Sequence, residues 1–132
     1  FPGLAEPIRN NQIDVQVHKF SDYTLEEQVT MAANAAVYVT SAGGGAITGS
    51  FLPRGASLHI LYNERGGVEN NRNTRLPARL DWDFFNNQSY LRVHWIPSKA
   101  RQKADKDAAV DLILYEVQRI YQERVRNDGK NK

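Results

Sequence analysis

Val37-Tyr38-Val39-Thr40-Ser41-Ala42-Gly43-Gly44-Gly45-Ala46-Ile47-Thr48-Gly49-Ser50-Phe51-Leu52-Pro53 is the stretch on which the reading of this chain turns. Val37 and Val39 alternate with Tyr38 and Thr40, the pattern of a buried strand, and the pattern ends at Ser41. Gly43, Gly44 and Gly45 carry no Cβ and admit positive φ, so another group can come close to the backbone. The residues after them read as a short helix, with its free N–H groups and partial positive charge directed back at the glycines. Strand, bare loop and helix N-terminus in series can seat a phosphate or pyrophosphate. They can equally make a tight connection that binds nothing, and a glycine cluster alone does not separate the two.

Upstream, Thr24 followed by Glu27 is a capping box, opening a helix that carries Leu25, Gln28, Val29, Ala32, Ala33 and Ala36. Before it, Ile13, Val15 and Val17 alternate with Asp14, Gln16 and His18, which predicts a first strand and a β-α-β unit. Residues 1–12, with Pro2, Gly3 and Pro7, read as an irregular lead-in. Downstream, Pro53-Arg54-Gly55 is a turn and Ala56–Tyr62 another strand. Residues 63–75, rich in Asn and Gly, read as a mobile surface loop. Leu80–Phe85 reads as a helix with Trp82, Phe85 and Phe84 turned inward, Trp82 reading either as core or as a sugar-stacking platform, and Tyr90–Ile96 as a strand stopped by Pro97. From Asp105 to about Arg126, the residues Val110, Ile113, Leu114, Val117, Ile120, Tyr121 and Val125 form one helical stripe. The expected fold is an α/β Rossmann-like parallel sheet of about four strands, near 13–18, 37–41, 56–62 and 91–96. Helices flank it, a long C-terminal helix follows, and residues 1–132 form a single domain.

With 132 residues, 41% of them hydrophobic and 24% charged, the chain can bury a real core. A formal charge of +2 is too small an excess to argue for nucleic acid as a partner. The absence of cysteine excludes disulfides, thiolate metal sites and a cysteine nucleophile. No apolar run approaches the roughly 18 residues of a membrane span. Opening on Phe1, the sequence reads as processed, trimmed, or one segment of something longer.

Ligands of an open α/β sheet bind beyond the carboxyl ends of its strands. That rule selects Lys19 and Ser21, then Thr40–Thr48, then Asn63–Arg65. Backbone amides of Gly44–Ile47 are candidate phosphate donors, with the Thr48 and Ser50 hydroxyls as helpers and Arg54 as added charge. Glu64 reads either as an acceptor for ribose hydroxyls or as a solvated loop acid. The dinucleotide pattern G-x-G-x-x-G fails, because starting at Gly43 it ends on Thr48. His18, His59 and His94 lack metal-ligand spacing and sit in predicted strands, where histidines are usually structural. Asp81 and Asp83, two apart on a helix, do not share a face, and neither Ser41 nor Ser50 lies in a G-x-S-x-G elbow.

Leu25-Glu26-Glu27-Gln28-Val29, Ala35-Ala36-Val37-Tyr38-Val39, Gly43-Gly44-Gly45-Ala46-Ile47-Thr48 and Phe51-Leu52-Pro53-Arg54-Gly55-Ala56 follow one another in order. Together they resemble the C-terminal half of the inverting glycosyltransferases related to plant β-1,2-xylosyltransferase and the endoplasmic-reticulum O-linked N-acetylglucosaminyltransferases. In that family an "E-Q" helix leads to an apolar strand, a glycine loop and "F-L-P-x-G". The likeness covers roughly residues 13–62 and, weakly, 80–96. It implies one half of a GT-B fold and a nucleotide-sugar site at Ser41, Gly43, Gly44, Gly45, Ala46, Ile47, Thr48 and Glu64. No metal or other cofactor is expected. The implied partners are the nucleotide-sugar, a glycan or glycoprotein acceptor, and a missing N-terminal half or another protein chain. The implied location is the lumen of the Golgi or endoplasmic reticulum. Two positions depart from the family: Ala42 stands where many members have His, and Ile60 where "V-I-E-I" patterns put Glu. A copy that binds without catalysing, serving as a structural or assembly subunit, is the alternative. A flavodoxin-like ligand module is a third.

Overall fold

The computed structural model describes residues 13–62, 79–97 and 103–130. Three strands, β1 (Val37–Ser41), β2 (Ser57–Tyr62) and β3 (Arg92–Pro97), form a parallel sheet in the order β1-β2-β3. The helices are α1 (Leu25–Ala33), the single turn α2 (Gly44–Ile47), α3 (Arg79–Asn86) and α4 (Lys103–Lys130). A 3-10 turn, Thr48–Phe51, continues directly from α2.

β2 is the middle strand and has both faces covered, as parallel sheets require. Leu58 and Ile60 are fully buried on one face with Ala46, Leu52, Ala56, Phe85 and Leu91, and Tyr38, Val93 and Trp95 pack against that cluster. Ser57 and His59 point to the other face and are equally buried. Gly49 lets the 3-10 turn lie on this strand: a Cβ there would sit 2.9 Å from Leu58 Cδ1.

The expected first strand does not exist. Residues 13–19 have no regular structure, and Val15 and Val17 are 80% and 95% exposed. Alternation placed their side chains on one side, but no neighbouring strand pairs with this segment and no core lies beneath it. The β-α-β unit of the expected fold is therefore absent among the described residues, and the sheet has three strands instead of four. The segment ends in a 3-10 turn, Phe20–Asp22, which Gln28 fastens to α1 by donating from Nε2 to the carbonyls of Phe20 (2.8 Å) and Tyr23 (3.1 Å).

The capping box is present: the Thr24 hydroxyl accepts from the Glu27 amide at 3.2 Å, and Glu27 Oε1 accepts from the Thr24 amide at 3.0 Å. Phe85 is buried as expected, but Phe84, edge-on to it, is 48% exposed, and Trp82 is not an inward core residue. It is 44% exposed and stacks on Trp95 at 5.5 Å between ring centres. In α4 the predicted stripe is covered only in its middle, from Ile113 to Tyr121, while Val110 and Val125 face solvent. Among the described residues no helix is long and apolar enough to cross a membrane. The lead-in 1–12 and the loop 63–75 lie outside the described residues.

Candidate functional site

The glycine corner sits where the sequence put it, at the carboxyl edge of the sheet directly after β1. The Ala42 amide extends the ladder by donating to the Leu61 carbonyl at 2.8 Å. Gly43 then turns the chain with φ 130° and ψ −157°, a conformation an L side chain rarely adopts, and its Cα faces open space. Gly44 and Gly45 open α2, so their amides belong to the set that a helix leaves without an internal carbonyl. Tyr38 holds the corner by donating its hydroxyl to the Gly45 carbonyl at 2.7 Å.

The candidate residues divide at this corner. Ser41 and Gly43 are exposed, and Gly45 is half-buried against Thr40, whose Oγ1 lies 3.3 Å from where a Cβ would stand. Ala46 turns into the core, and its amide is engaged by the Gly43 carbonyl at 3.1 Å. Thr48 is buried and Ile47 faces outward. Glu64 lies outside the described residues.

Two of the suggested helpers stand elsewhere. The 3-10 turn carries the chain back to the amino edge of the sheet, where Ser50 Oγ accepts from Gln88 Nε2 at 3.0 Å and the Ser50 carbonyl accepts from the Tyr90 hydroxyl. Arg54 follows at that same edge, in the turn leading into β2, remote from the glycines. Lys19 and Ser21 end no strand. An open depression of about 480 Å³ lies beside α2, lined by Ile47, Asp81, Asp83, Phe84 and Phe85.

A second constellation was not anticipated. On the sheet face opposite the apolar core, Glu116 of α4 is completely buried between β3 and its own helix. Arg92 Nε donates to its two oxygens at 3.0 and 3.1 Å, with Nη2 2.9 Å from Oε1. Arg119 donates to Oε2 from Nε at 2.9 Å and Nη2 at 2.7 Å. The same Arg119 bonds the Gly55 carbonyl at 3.0 Å and pairs with Glu123 at 3.1 Å. His94 Nε2 stands 3.3 Å from Glu116 Oε1 and its ring stacks on His59, 4.7 Å between centres. His59 Nε2 in turn meets Ser57 Oγ at 2.8 Å, while Nδ1 is buried with no hydrogen-bond partner among the described residues.

Burial alone would push the Glu116 carboxyl up. The hydrogen bonds and charges of Arg119 and Arg92 outweigh it and hold the carboxyl below its ordinary value. Burial, then the neighbouring His94, drives His59 down from 6.5 to about 4, against the opposing pull of Glu116. His94 is lowered by burial against the same opposing carboxylate. Both rings are therefore neutral near pH 7.

Ser57 and His59 have the spacing of an activated nucleophile, but both are sealed from solvent, and among the described residues no third group hydrogen-bonds to the far nitrogen of the ring. The arrangement joins α4 to the sheet. A signal for it was present: Ile113, Glu116 and Ile120 fall at i, i+3, i+7, so an acid occupies a position in the apolar stripe.

No family model matches the chain, and neither a curated protein nor a solved structure matches it. Among the described residues no group of three or more His, Asp or Glu is placed to hold a metal ion.

Proposed function

We propose that this chain is the nucleotide-sugar-binding portion of an inverting glycosyltransferase, one half of a GT-B arrangement whose other half lies in a preceding segment or a partner chain. The observation that carries the reading is the corner at Ser41–Gly45. It lies beyond the carboxyl end of a parallel strand, it turns on a glycine at φ 130°, and it feeds directly into a helical turn. The order of strand, glycine loop, short helix, Phe51-Leu52-Pro53-Arg54-Gly55-Ala56 and strand adds support from the sequence.

In such a reaction the acceptor hydroxyl attacks the anomeric carbon from the side opposite the diphosphate. The C–O bond to the diphosphate breaks as the new glycosidic bond forms, and a general base takes the hydroxyl proton. The contribution assigned to this chain is the corner, with the Gly44 and Gly45 amides stabilising charge on the departing diphosphate. No residue here is assigned as the base. The acceptor is a glycan or a protein hydroxyl, and the setting is the secretory lumen.

A second reading, a degenerate copy with an assembly role, draws on Ala42 and Ile60. Ala42 is half-buried against the core and Ile60 is fully buried, so neither offers a polar group to a donor. Isothermal titration calorimetry with a panel of nucleoside diphosphates, without added metal, separates the two. Micromolar binding that disappears in Gly44→Val supports the transferase; no heat with any nucleotide supports the assembly subunit.

A further inference from the structure

We infer that the buried charge cluster between the sheet and α4 is an acid-sensitive latch: mild acid detaches α4 while the three strands stay paired. The cluster holds two guanidiniums, Arg92 and Arg119, against one buried carboxylate, Glu116, with Glu123 outside it on Arg119. The groups that face His59 come from each neighbouring element. β3 supplies His94 and Arg92, α4 supplies Glu116 and Arg119, and its own strand supplies Ser57. On the other side β1 aligns Val39 with it, which brings no charge.

A proton added to His59 therefore enters a buried site stacked on a second imidazole, where the one buried carboxylate is already shared by two guanidiniums. On His59 it would also leave a buried N–H without an acceptor, because one ring nitrogen is taken up by Ser57 and the other has no partner among the described residues. Lifting α4 removes that penalty. It carries Glu116 and Arg119 away, exposes both stacked rings to water, and lets them take up protons at their ordinary value. The β2–β3 ladder and the apolar core lie elsewhere and are not opened by this step. Once released, α4 loses protection, since a lone helix of mixed sequence is marginal in water.

Depression of His59 from 6.5 to about 4 supports the same direction. A group whose folded value is lowered stabilises the docked state fully above 6.5 and progressively less as the pH falls toward 4. By linkage the opening constant rises about 20-fold between pH 7 and pH 5 from this residue alone, and His94 adds to it.

Hydrogen exchange on the whole chain, corrected for intrinsic rates, tests the latch. The expected result is a loss of protection of about 20-fold or more over Leu112–Ile120 from pH 7 to pH 5. Leu58–Leu61 should keep theirs, and the double variant Ser57→Ala/His59→Leu should flatten most of the α4 response. Equal losses in α4 and β2, an unchanged α4, or a double variant with the original pH response would each overturn the proposal. If the double variant does not fold, proton NMR of the unaltered chain decides. Protonation of the His59 ring coincident with loss of α4 protection supports the latch, and protonation while α4 stays protected refutes it.

Discussion

Replacing Glu116 by alanine should be among the most damaging changes in the described part of this chain. The side chain has no solvent exposure, and five N–H···O contacts from two guanidiniums converge on it within 3.1 Å. Its removal leaves Arg92 and Arg119 facing each other across a cavity beside two imidazoles. Breaking a buried ion pair by deleting one partner costs about 3–5 kcal/mol. The survivors here are not equally trapped. Arg92 is 47% exposed and can swing into water, while Arg119 is 16% exposed and keeps Glu123 and the Gly55 carbonyl. That relief places the expected cost at the lower end, about 3 kcal/mol. For a domain of this size it amounts to a fall in melting temperature on the order of 10 °C. Urea unfolding followed by circular dichroism measures it, with Glu116→Gln as the milder companion that keeps volume and loses charge. A loss below about 1 kcal/mol for Glu116→Ala would refute the claim that this carboxylate holds α4 to the sheet.

Other expectations follow from single contacts. Gly49→Val should cost about 1–3 kcal/mol in urea unfolding, because its side chain must displace Leu58 from a close-packed core. Thr24→Ala removes half of the capping box and should cost about 1 kcal/mol, read from the same curves. Phe85→Ala opens a cavity in the apolar core and should cost about 3–5 kcal/mol. Stability should fall as the pH drops from 6.5 toward 4, His59 alone accounting for about 3 kcal/mol, and unfolding curves at stepped pH should show that decline.

The sequence was most legible where local chemistry and burial agree. Thr24 and Glu27 placed the start of α1, and the apolar runs at Val37, Leu58 and Val93 placed the three strands. The failure at 13–18 has a physical cause: alternation describes a half-buried strand only when something pairs with it, and Val15 and Val17 have no such neighbour. The glycine corner was legible as backbone geometry, since a residue without Cβ is the one that reaches positive φ freely, as Gly43 does at 130°. Which side chains join it was less so, because Ser50 and Arg54 are carried by the 3-10 turn to the opposite edge, a displacement that spacing along the chain does not encode. The Glu116 cluster depends on contacts between residues 24 apart, Arg92 and Glu116, and only the acid within an apolar stripe hinted at it.

The central claim is that the corner after β1 receives a diphosphate, and amide NMR during a titration with nucleoside diphosphates tests it most directly. The account predicts saturable shifts that are largest at Gly43, Gly44 and Gly45. Shifts confined to the end of α4 that carries Arg119, Arg124 and Arg126, or none with any nucleotide, would contradict it.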